Sequence, residues 1–132
     1  MASHNSHHKQ TILVVDDDRD MVDSTVMVLS FLGYAGEGAY DAEMALAIAR
    51  VRPPQVVLLD AAMPGQDGYS LARRLRLLPG MGDALLICVS GYGTAEHRTR
   101  ALAAGCDRHF IKPLDWPELV RMLHGERQKE PA

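Results

Sequence analysis

Four apolar runs in this sequence each end in polar side chains that could hold a metal ion and an anion. The residues concerned are Asp16, Asp17, Asp18, Asp60, Ser90 and Lys112. A single polar residue at such a position is usually a helix cap or a turn former. Polar residues that recur at four such positions are better explained by one shared pocket.

Carboxylates gathered in one pocket need a cation. Two carboxylates about 5 Å apart repel by roughly 3 kcal/mol at an effective dielectric constant of 20. No histidine or cysteine shares these positions, which disfavours zinc, whereas oxygen ligands suit Mg²⁺ or Mn²⁺. Lys112 and the Ser90 hydroxyl would then donate to an anion on the metal, and phosphate is the obvious candidate. The pattern therefore predicts phosphoryl-transfer chemistry.

The runs that carry these residues alternate with helical patterns. Uninterrupted apolar runs are typical of strands covered on both faces, and they predict strands over 11–15, 56–59 and 85–89. A weaker pattern predicts a strand over 34–38, and a short one is predicted over 109–111. Spacing and turn residues predict helices between Asp18 and Gly33, Asp41 and Pro53, Gly65 and Pro79, Thr94 and Gly105, and Asp115 and Gly125.

Five strands alternating with five helices predict a parallel, doubly wound α/β sheet, because each parallel crossover requires a helix. Periodicity leaves the order of the strands open. Ligands of such sheets bind beyond the carboxyl ends of the strands, where the polar residues lie.

Length and composition limit the other possibilities. The 132 residues predict one domain, and 47% hydrophobic with 23% charged residues excludes a disordered or fibrous protein. The net charge of −3 hides an excess of acid in residues 1–66, which carry 9 acidic and 4 basic side chains. We expect a domain over 10–125, with a His-rich tail over 1–9 and a flexible tail over 126–132.

We expect neither a membrane span, nor a metal site built from the cysteines or from the histidines of the first segment, nor an extracellular location. No apolar stretch approaches the roughly 18 residues of a membrane span. Cys88 and Cys106 form no metal spacing and too few pairs for a disulfide scaffold, which favours structural cysteines in a cytoplasmic protein. The histidines of the first segment lack acidic or thiol partners for a metal; they are His4, His7 and His8.

The polar positions also carry a family resemblance. The segments Ile12–Asp18, Leu58–Gly68, Val89–Gly93 and Ile111–Pro113 resemble a response-regulator receiver domain of bacterial two-component signalling, over about residues 10–125. The receiver would be of the single-domain type or part of a hybrid histidine kinase. The resemblance implies a flavodoxin-like fold with strand order 2-1-3-4-5 and five helices.

The resemblance implies a role for each acidic residue. Asp60 corresponds to the phosphoacceptor, which takes a phosphoryl group from a histidine kinase or a phosphotransfer protein. Asp17, Asp60 and the backbone carbonyl of Ala62 correspond to direct Mg²⁺ ligands, and Asp16 acts through water. Asp18 is either a further functional acid or the cap of the first helix.

The resemblance extends to the other strand ends. Lys112 corresponds to the donor to a phosphoryl oxygen, Ser90 to the switch hydroxyl, and Pro113 to a position with a cis peptide. His109 stands where the family often has a switch Tyr or Phe. Because a free imidazole titrates near pH 6.5, a pH-sensitive switch at His109 is a hypothesis, beside the plainer interpretation of a surface histidine.

Three positions near the acceptor and the switch serine bear on how long the phosphoryl group lasts and on which phosphodonors reach the pocket. Ala62 and Tyr92 lie two residues beyond the acceptor and the switch serine, where the family tunes the access of hydrolytic water. Ala62 cannot orient a water, so we predict a long-lived phosphoryl group. Gly91 is expected to keep the pocket open to small phosphodonors.

The implied output surface is the fourth helix, fifth strand and fifth helix, where an unidentified downstream protein would bind. Its candidate residues are Arg98, Arg108, His109, Arg121 and His124. We expect no nucleic acid or membrane partner, because the arginines are scattered on helices without a recognition fold.

The main alternative is a phosphatase of the haloacid dehalogenase type, with Asp16 as nucleophile and Asp18 as general acid. That family would leave Asp60 unexplained, and no acidic pair closely follows Lys112. A calcium loop of the EF-hand type is excluded, because Met21 stands at its required glycine. We therefore expect a signalling phosphoacceptor that catalyses only its own phosphorylation and slow dephosphorylation. A receiver used as a constitutive docking module stays open.

Overall fold

The computed structural model describes residues 9–63, 67–91 and 93–129, and for 126–129 it describes the backbone alone. The tail over 1–8, the Pro64-Gly65 turn and Tyr92, all of which entered the sequence predictions, lie outside the described residues. The elements are β1 (Thr11–Val15), α1 (Arg19–Phe31), β2 (Ala35–Ala39), α2 (Ala42–Val51), β3 (Val56–Asp60), α3 (Gly68–Arg76), β4 (Leu85–Ser90), α4 (Ala95–Ala103), β5 (Arg108–Ile111) and α5 (Trp116–Lys129).

The five strands form one parallel sheet in the order β2-β1-β3-β4-β5, which confirms the predicted fold. The central strands β3 and β4 are buried along their whole length. Val15 lies beside Leu59, and Asp60 lies beside Val89. The register therefore brings the ends of β1, β3 and β4 to one edge of the sheet.

A hydrophobic core lies on each face of the sheet, because neighbouring side chains of a strand point to opposite faces. Leu59 belongs to the cluster that includes Leu71 and Leu75 of α3. Leu58 belongs to the cluster that includes Leu119 and Leu123 of α5. Both faces are covered, as the continuous apolar runs predict.

Polar caps begin most of the helices. Asp18 accepts a hydrogen bond from the Met21 N–H, so the predicted cap of α1 is present. The predicted cap at Asp41 is also present, and Asp115 accepts from the backbone N–H of Glu118, as the capping box requires.

The ends of two helices differ from the predictions. α3 ends at Arg76, before Leu78, and α5 continues through Gly125 to Lys129. A glycine ends a helix when it takes a positive φ, as Gly33 and Gly105 do, whereas Gly125 is not among the residues with positive φ. In the described part of the chain, no helix has the length and apolar character needed to span a bilayer.

Cys88 of β4 and Cys106, just after α4, are joined in a disulfide inside the core. The sequence did not predict this pairing, because separation along the chain does not reveal that the turn after α4 folds back against β4. The cytoplasmic location stays a prediction.

Arg76, the last residue of α3, ties together two loops at the amino end of β4 and β5. One guanidinium nitrogen donates to the carbonyl oxygens of Met81 (3.0 Å), Gly82 (3.2 Å) and Ala84 (2.7 Å). The other donates to the Gly105 carbonyl at 2.8 Å and the Asp107 carboxylate at 3.0 Å. Asp107 also accepts from the backbone N–H of Leu86, so the network reaches into β4.

Candidate functional site

Three of the predicted acidic residues meet at the carboxyl edge of the sheet. Carboxylate oxygens of Asp16, Asp17 and Asp60 lie within 4.8 Å of one another. Asp16 and Asp60 are buried and Asp17 is exposed, so the group opens to solvent on one side. Asp60 ends β3, while Asp16 and Asp17 directly follow β1. The adjacency of β1 and β3 in the sheet is what brings them together.

Among the residues that the structure describes, Lys112 is the cation paired with this group. Its Nζ lies 3.1 Å from Oδ2 of Asp60 and 3.8 Å from Oδ2 of Asp16, and its side chain is 39% exposed. One lysine offsets one of three carboxylates, which leaves an excess of negative charge. A set of carboxylate oxygens with uncompensated charge fits Mg²⁺ or Mn²⁺.

Backbone N–H groups orient the two buried carboxylates. The N–H of Ala62 donates to Oδ1 of Asp60 at 3.0 Å, and the N–H of Asp18 donates to Oδ1 of Asp16 at 3.1 Å. Each bond leaves the second carboxylate oxygen for another partner. A Cβ at Gly68 would lie 2.6 Å from Cα of Ala61, so only glycine lets α3 begin this close to the end of β3.

Burial changes the protonation of Asp16. It raises the pKa of this carboxyl to about 6 from its ordinary 3.8, and the negative charge of Asp60 acts in the same direction. The bond from the Asp18 N–H and the charge of Lys112 oppose the rise. An ionised Asp16 without a cation beside it therefore destabilises the folded protein at neutral pH.

We expect Asp16→Asn to stabilise the metal-free protein at pH 7.5. The folded state binds the Asp16 proton more tightly than the unfolded state, so this group's contribution to stability is present below pH 3.8 and is lost as pH rises through about 6. Asparagine cannot ionise, so the variant does not lose this stability as the pH rises. In EDTA the melting temperature should rise by roughly 5 °C at pH 7.5 and change little near pH 4.

The exposed Asp83 provides a control, because Asp83→Asn removes an acid of the same type outside the site. In excess Mg²⁺ the sign should reverse, since the wild type would regain stability by binding the ion. Equal melting temperatures for Asp16→Asn and wild type in EDTA at pH 7.5 would contradict the raised pKa of Asp16 and the cost of burying its charge.

Ser90 and His109 are in direct contact. Ser90 is buried at the end of β4, and its Oγ lies 2.9 Å from Nε2 of His109. Burial lowers the pKa of His109, and the nearby Arg98 and His97 lower it further. The ring is therefore neutral at pH 7 and titrates below its ordinary range, which moves any pH-sensitive switch to more acidic conditions than the sequence suggested.

The predicted cis peptide is present between Lys112 and Pro113. The backbone N–H of Lys112 donates to the carbonyl of Ser90 at 2.7 Å, which links the ends of β4 and β5. At Gly91 an added Cβ would meet no atom within 4 Å in the described structure, so space does not require glycine there.

One feature of the site was not found from the sequence. A cavity of about 640 Å³ adjoins the acidic group and Lys112, with mostly apolar walls. Its walls include Met21, Thr25, Leu58, Leu114 and Trp116. Such positions are indistinguishable from ordinary core positions in a helical or strand pattern, so the sequence carried no signal for them.

Comparison with known proteins places the chain among signalling proteins. The family described as response regulator receiver domain matches residues 12–124. A 14.6 kDa protein of Leptolyngbya boryana is 36% identical over 112 residues, which cover 85% of this chain and 86% of that protein. The response regulator MprA of Mycobacterium tuberculosis is 40% identical over 113 residues, covering 85% of this chain and 48% of MprA.

The solved structures agree with these matches. A CheY-like receiver domain protein from Methanospirillum hungatei superposes with a TM-score of 0.81 at 30% identity, covering 90% of this chain and 94% of the other. The chemotaxis protein CheY4 of Vibrio cholerae superposes with a TM-score of 0.83 over 89% of this chain and 98% of CheY4; at 23% identity this is a likeness of fold. The chain spans about half the length of MprA.

Proposed function

The chain belongs to the response regulator receiver domain family, and from this premise we propose that Asp60 accepts a phosphoryl group from a histidine kinase or a phosphotransfer protein. Members of this family are signalling modules rather than classical enzymes. The observation that carries the proposal is the setting of Asp60: a buried carboxylate beside two further acids, with its Oδ2 3.1 Å from the Lys112 ammonium.

In the proposed reaction a carboxylate oxygen of Asp60 attacks phosphorus. The bond from phosphorus to the donor's imidazole nitrogen breaks, and that nitrogen keeps the electron pair and takes up a proton. The Ala62 N–H holds one oxygen of Asp60 and so fixes the direction of the carboxylate. Lys112 moves its hydrogen bond from Asp60 to a phosphoryl oxygen, which keeps the pocket's charge paired.

A divalent cation, when bound by Asp16, Asp17 and Asp60, supplies charge compensation for the carboxylates and the phosphoryl oxygens. Direct coordination by Asp17 and by the Ala62 carbonyl, and a water between Asp16 and the ion, are parts of this proposal. Ala62 has no side-chain group to orient a hydrolytic water, so we propose that the acyl phosphate decays slowly.

The output surface is proposed on α4, β5 and α5. The arginines predicted for it are exposed, as is His124, while His109 is half-buried. The bond from the Lys112 N–H to the Ser90 carbonyl provides a path from the site to β5. A charge change at Asp60 would thus reach the surface through the ends of β4 and β5.

The haloacid dehalogenase alternative has no support. Its general acid, Asp18, is used as the cap of α1, and Lys112 lies closer to Asp60 than to the alternative nucleophile Asp16. The family match covers the chain from β1 to α5.

Mapping the phosphorylated residue tests the proposal. The protein is incubated with acetyl phosphate and Mg²⁺, reduced with borohydride to trap the acyl phosphate, digested and analysed by mass spectrometry. We expect modification at Asp60 and its loss in EDTA. Modification at Asp16 in place of Asp60, or no modification with any phosphodonor, would overturn the assignment.

A further inference from the structure

The contact between Ser90 and His109 joins two side chains that lie on different strands. Ser90 Oγ and His109 Nε2 are 2.9 Å apart, and Ser90 is 1% exposed. The second ring nitrogen, Nδ1, is buried and has no hydrogen-bond partner in the part of the chain that the structure describes. The two nitrogens of this imidazole therefore have unequal surroundings.

That inequality determines where the ring carries its proton. A proton on Nδ1 would leave a buried N–H without an acceptor, whereas a proton on Nε2 can be donated to Ser90. A doubly protonated ring would also leave the Nδ1–H without an acceptor. In addition, its positive charge would lie near Arg98 and His97 of α4. Cys88, opposite His109 on β4, is in the disulfide and does not titrate. The neutral ring protonated at Nε2 fits these surroundings best.

We propose that His109 is a positioning residue, whose Nε2–H donates to Ser90 Oγ and so directs the serine hydroxyl proton to a phosphoryl group on Asp60. A hydroxyl has one proton and accepts through its lone pairs. Once Oγ accepts from His109, its proton is committed to another acceptor, and the phosphoryl oxygen becomes that acceptor. The inference rests on the phosphoacceptor function proposed for Asp60, and it adds His109 to the residues that serve this function.

Such a chain of bonds, from ring N–H to hydroxyl to phosphoryl oxygen, has a consequence that a merely structural histidine lacks. Each bond polarises the next, so the phosphoryl contact is weaker when the ring N–H is removed. A side chain that restores a donor at the place of Nε2 should restore the contact. Glutamine carries its amide nitrogen at about this reach from the backbone, whereas phenylalanine fills the space without a donor.

The test measures binding of beryllofluoride, a phosphoryl mimic, in the presence of Mg²⁺ by calorimetry. His109→Phe should weaken binding about fivefold, the size of one neutral hydrogen bond. His109→Gln should stay within about twofold of wild type. Arg50→Phe, which places a phenylalanine at an exposed position of α2 away from the site and from the proposed output surface, is the control and should bind like wild type.

A double variant shows whether His109 acts through Ser90. In a Ser90→Ala background, His109→Phe should cause no further loss. A further fivefold loss there, or wild-type affinity for His109→Phe alone, would overturn the inference and leave the function of Asp60 intact. Failure of the wild type to bind beryllofluoride would overturn the proposed function together with this inference.

A measurement on the unchanged protein guards against variants that do not fold. Long-range proton–nitrogen NMR spectra identify which ring nitrogen of each histidine carries the proton. We expect Nε2 for His109 at pH 7, and a proton on Nδ1 would overturn the inference.

Discussion

Asp60→Asn should abolish phosphorylation by acetyl phosphate or by a histidine kinase. The amide has no anionic oxygen to attack phosphorus, and Lys112 loses the charge that lies 3.1 Å from its Nζ. Removing the nucleophile of a covalent reaction costs on the order of 10³-fold or more, so labelling should fall to background. The measurement is the initial rate of label incorporation at saturating Mg²⁺.

The fold should survive this change. The asparagine oxygen can still accept from the Ala62 N–H, which holds Asp60 Oδ1 at 3.0 Å, and the two side chains are nearly the same size. Asp83→Asn, at an exposed acid away from the site, should label at the wild-type rate. Sustained labelling of a folded Asp60→Asn protein would show that another residue is the acceptor.

Asp16→Asn should reduce phosphorylation less than Asp60→Asn does, and this difference distinguishes the roles of the two acids. Asp16 contacts Lys112 only at 3.8 Å, and its proposed role is to hold the metal through water. Its replacement should therefore weaken Mg²⁺ binding and slow labelling while the label still appears on Asp60. The pair of variants distinguishes a nucleophile from a ligand.

Local patterns predicted most of what positions the site. The runs at Thr11–Val15 and Val56–Leu59 are strands because β-branched, continuous apolar segments fit a sheet covered on both faces. The acids were located because they follow these runs. The strand order came from the family resemblance, since hydrophobic periodicity contains no information on which strands are neighbours.

The features that were not predicted depend on contacts between distant segments. The Cys88–Cys106 disulfide, the Ser90–His109 hydrogen bond and the Arg76 network each join elements that only the folded sheet brings together. The end of α5 was missed for a different reason. A glycine in a helical pattern lowers helix stability by about 1 kcal/mol but does not by itself end the helix.

The acidic excess of the first half of the sequence acquires a location in the structure. Three of its acids, Asp16, Asp17 and Asp60, form the group at the carboxyl edge, with Lys112 from the second half as their partner. The remaining imbalance is what a divalent cation would offset. The near-neutral total charge thus conceals one strongly charged pocket.

Arg76 should be the largest single contributor to stability among the arginines of α3. Its five hydrogen bonds reach four carbonyl oxygens and one carboxylate, and its side chain is only 24% exposed. Arg76→Ala would leave Asp107 without its cation and several carbonyls without a donor. Bonds to charged groups contribute roughly 1.5–3 kcal/mol each and are not additive, so we expect a loss of about 3 kcal/mol in the free energy of unfolding.

The matched control is Arg73, an exposed arginine of the same helix. Arg73→Ala should change stability by less than about 0.5 kcal/mol, as surface substitutions usually do. Arg76→Lys should recover only part of the loss, because one ammonium cannot reach both the Met81–Ala84 turn and the Gly105–Asp107 turn as the two guanidinium nitrogens do. Urea unfolding followed by circular dichroism measures all three variants. Equal urea midpoints for Arg73→Ala and Arg76→Ala would contradict this prediction. They would mean that water replaces the hydrogen bonds of Arg76 at no cost, and that the disulfide and the strand pairing hold the turn leading into β5.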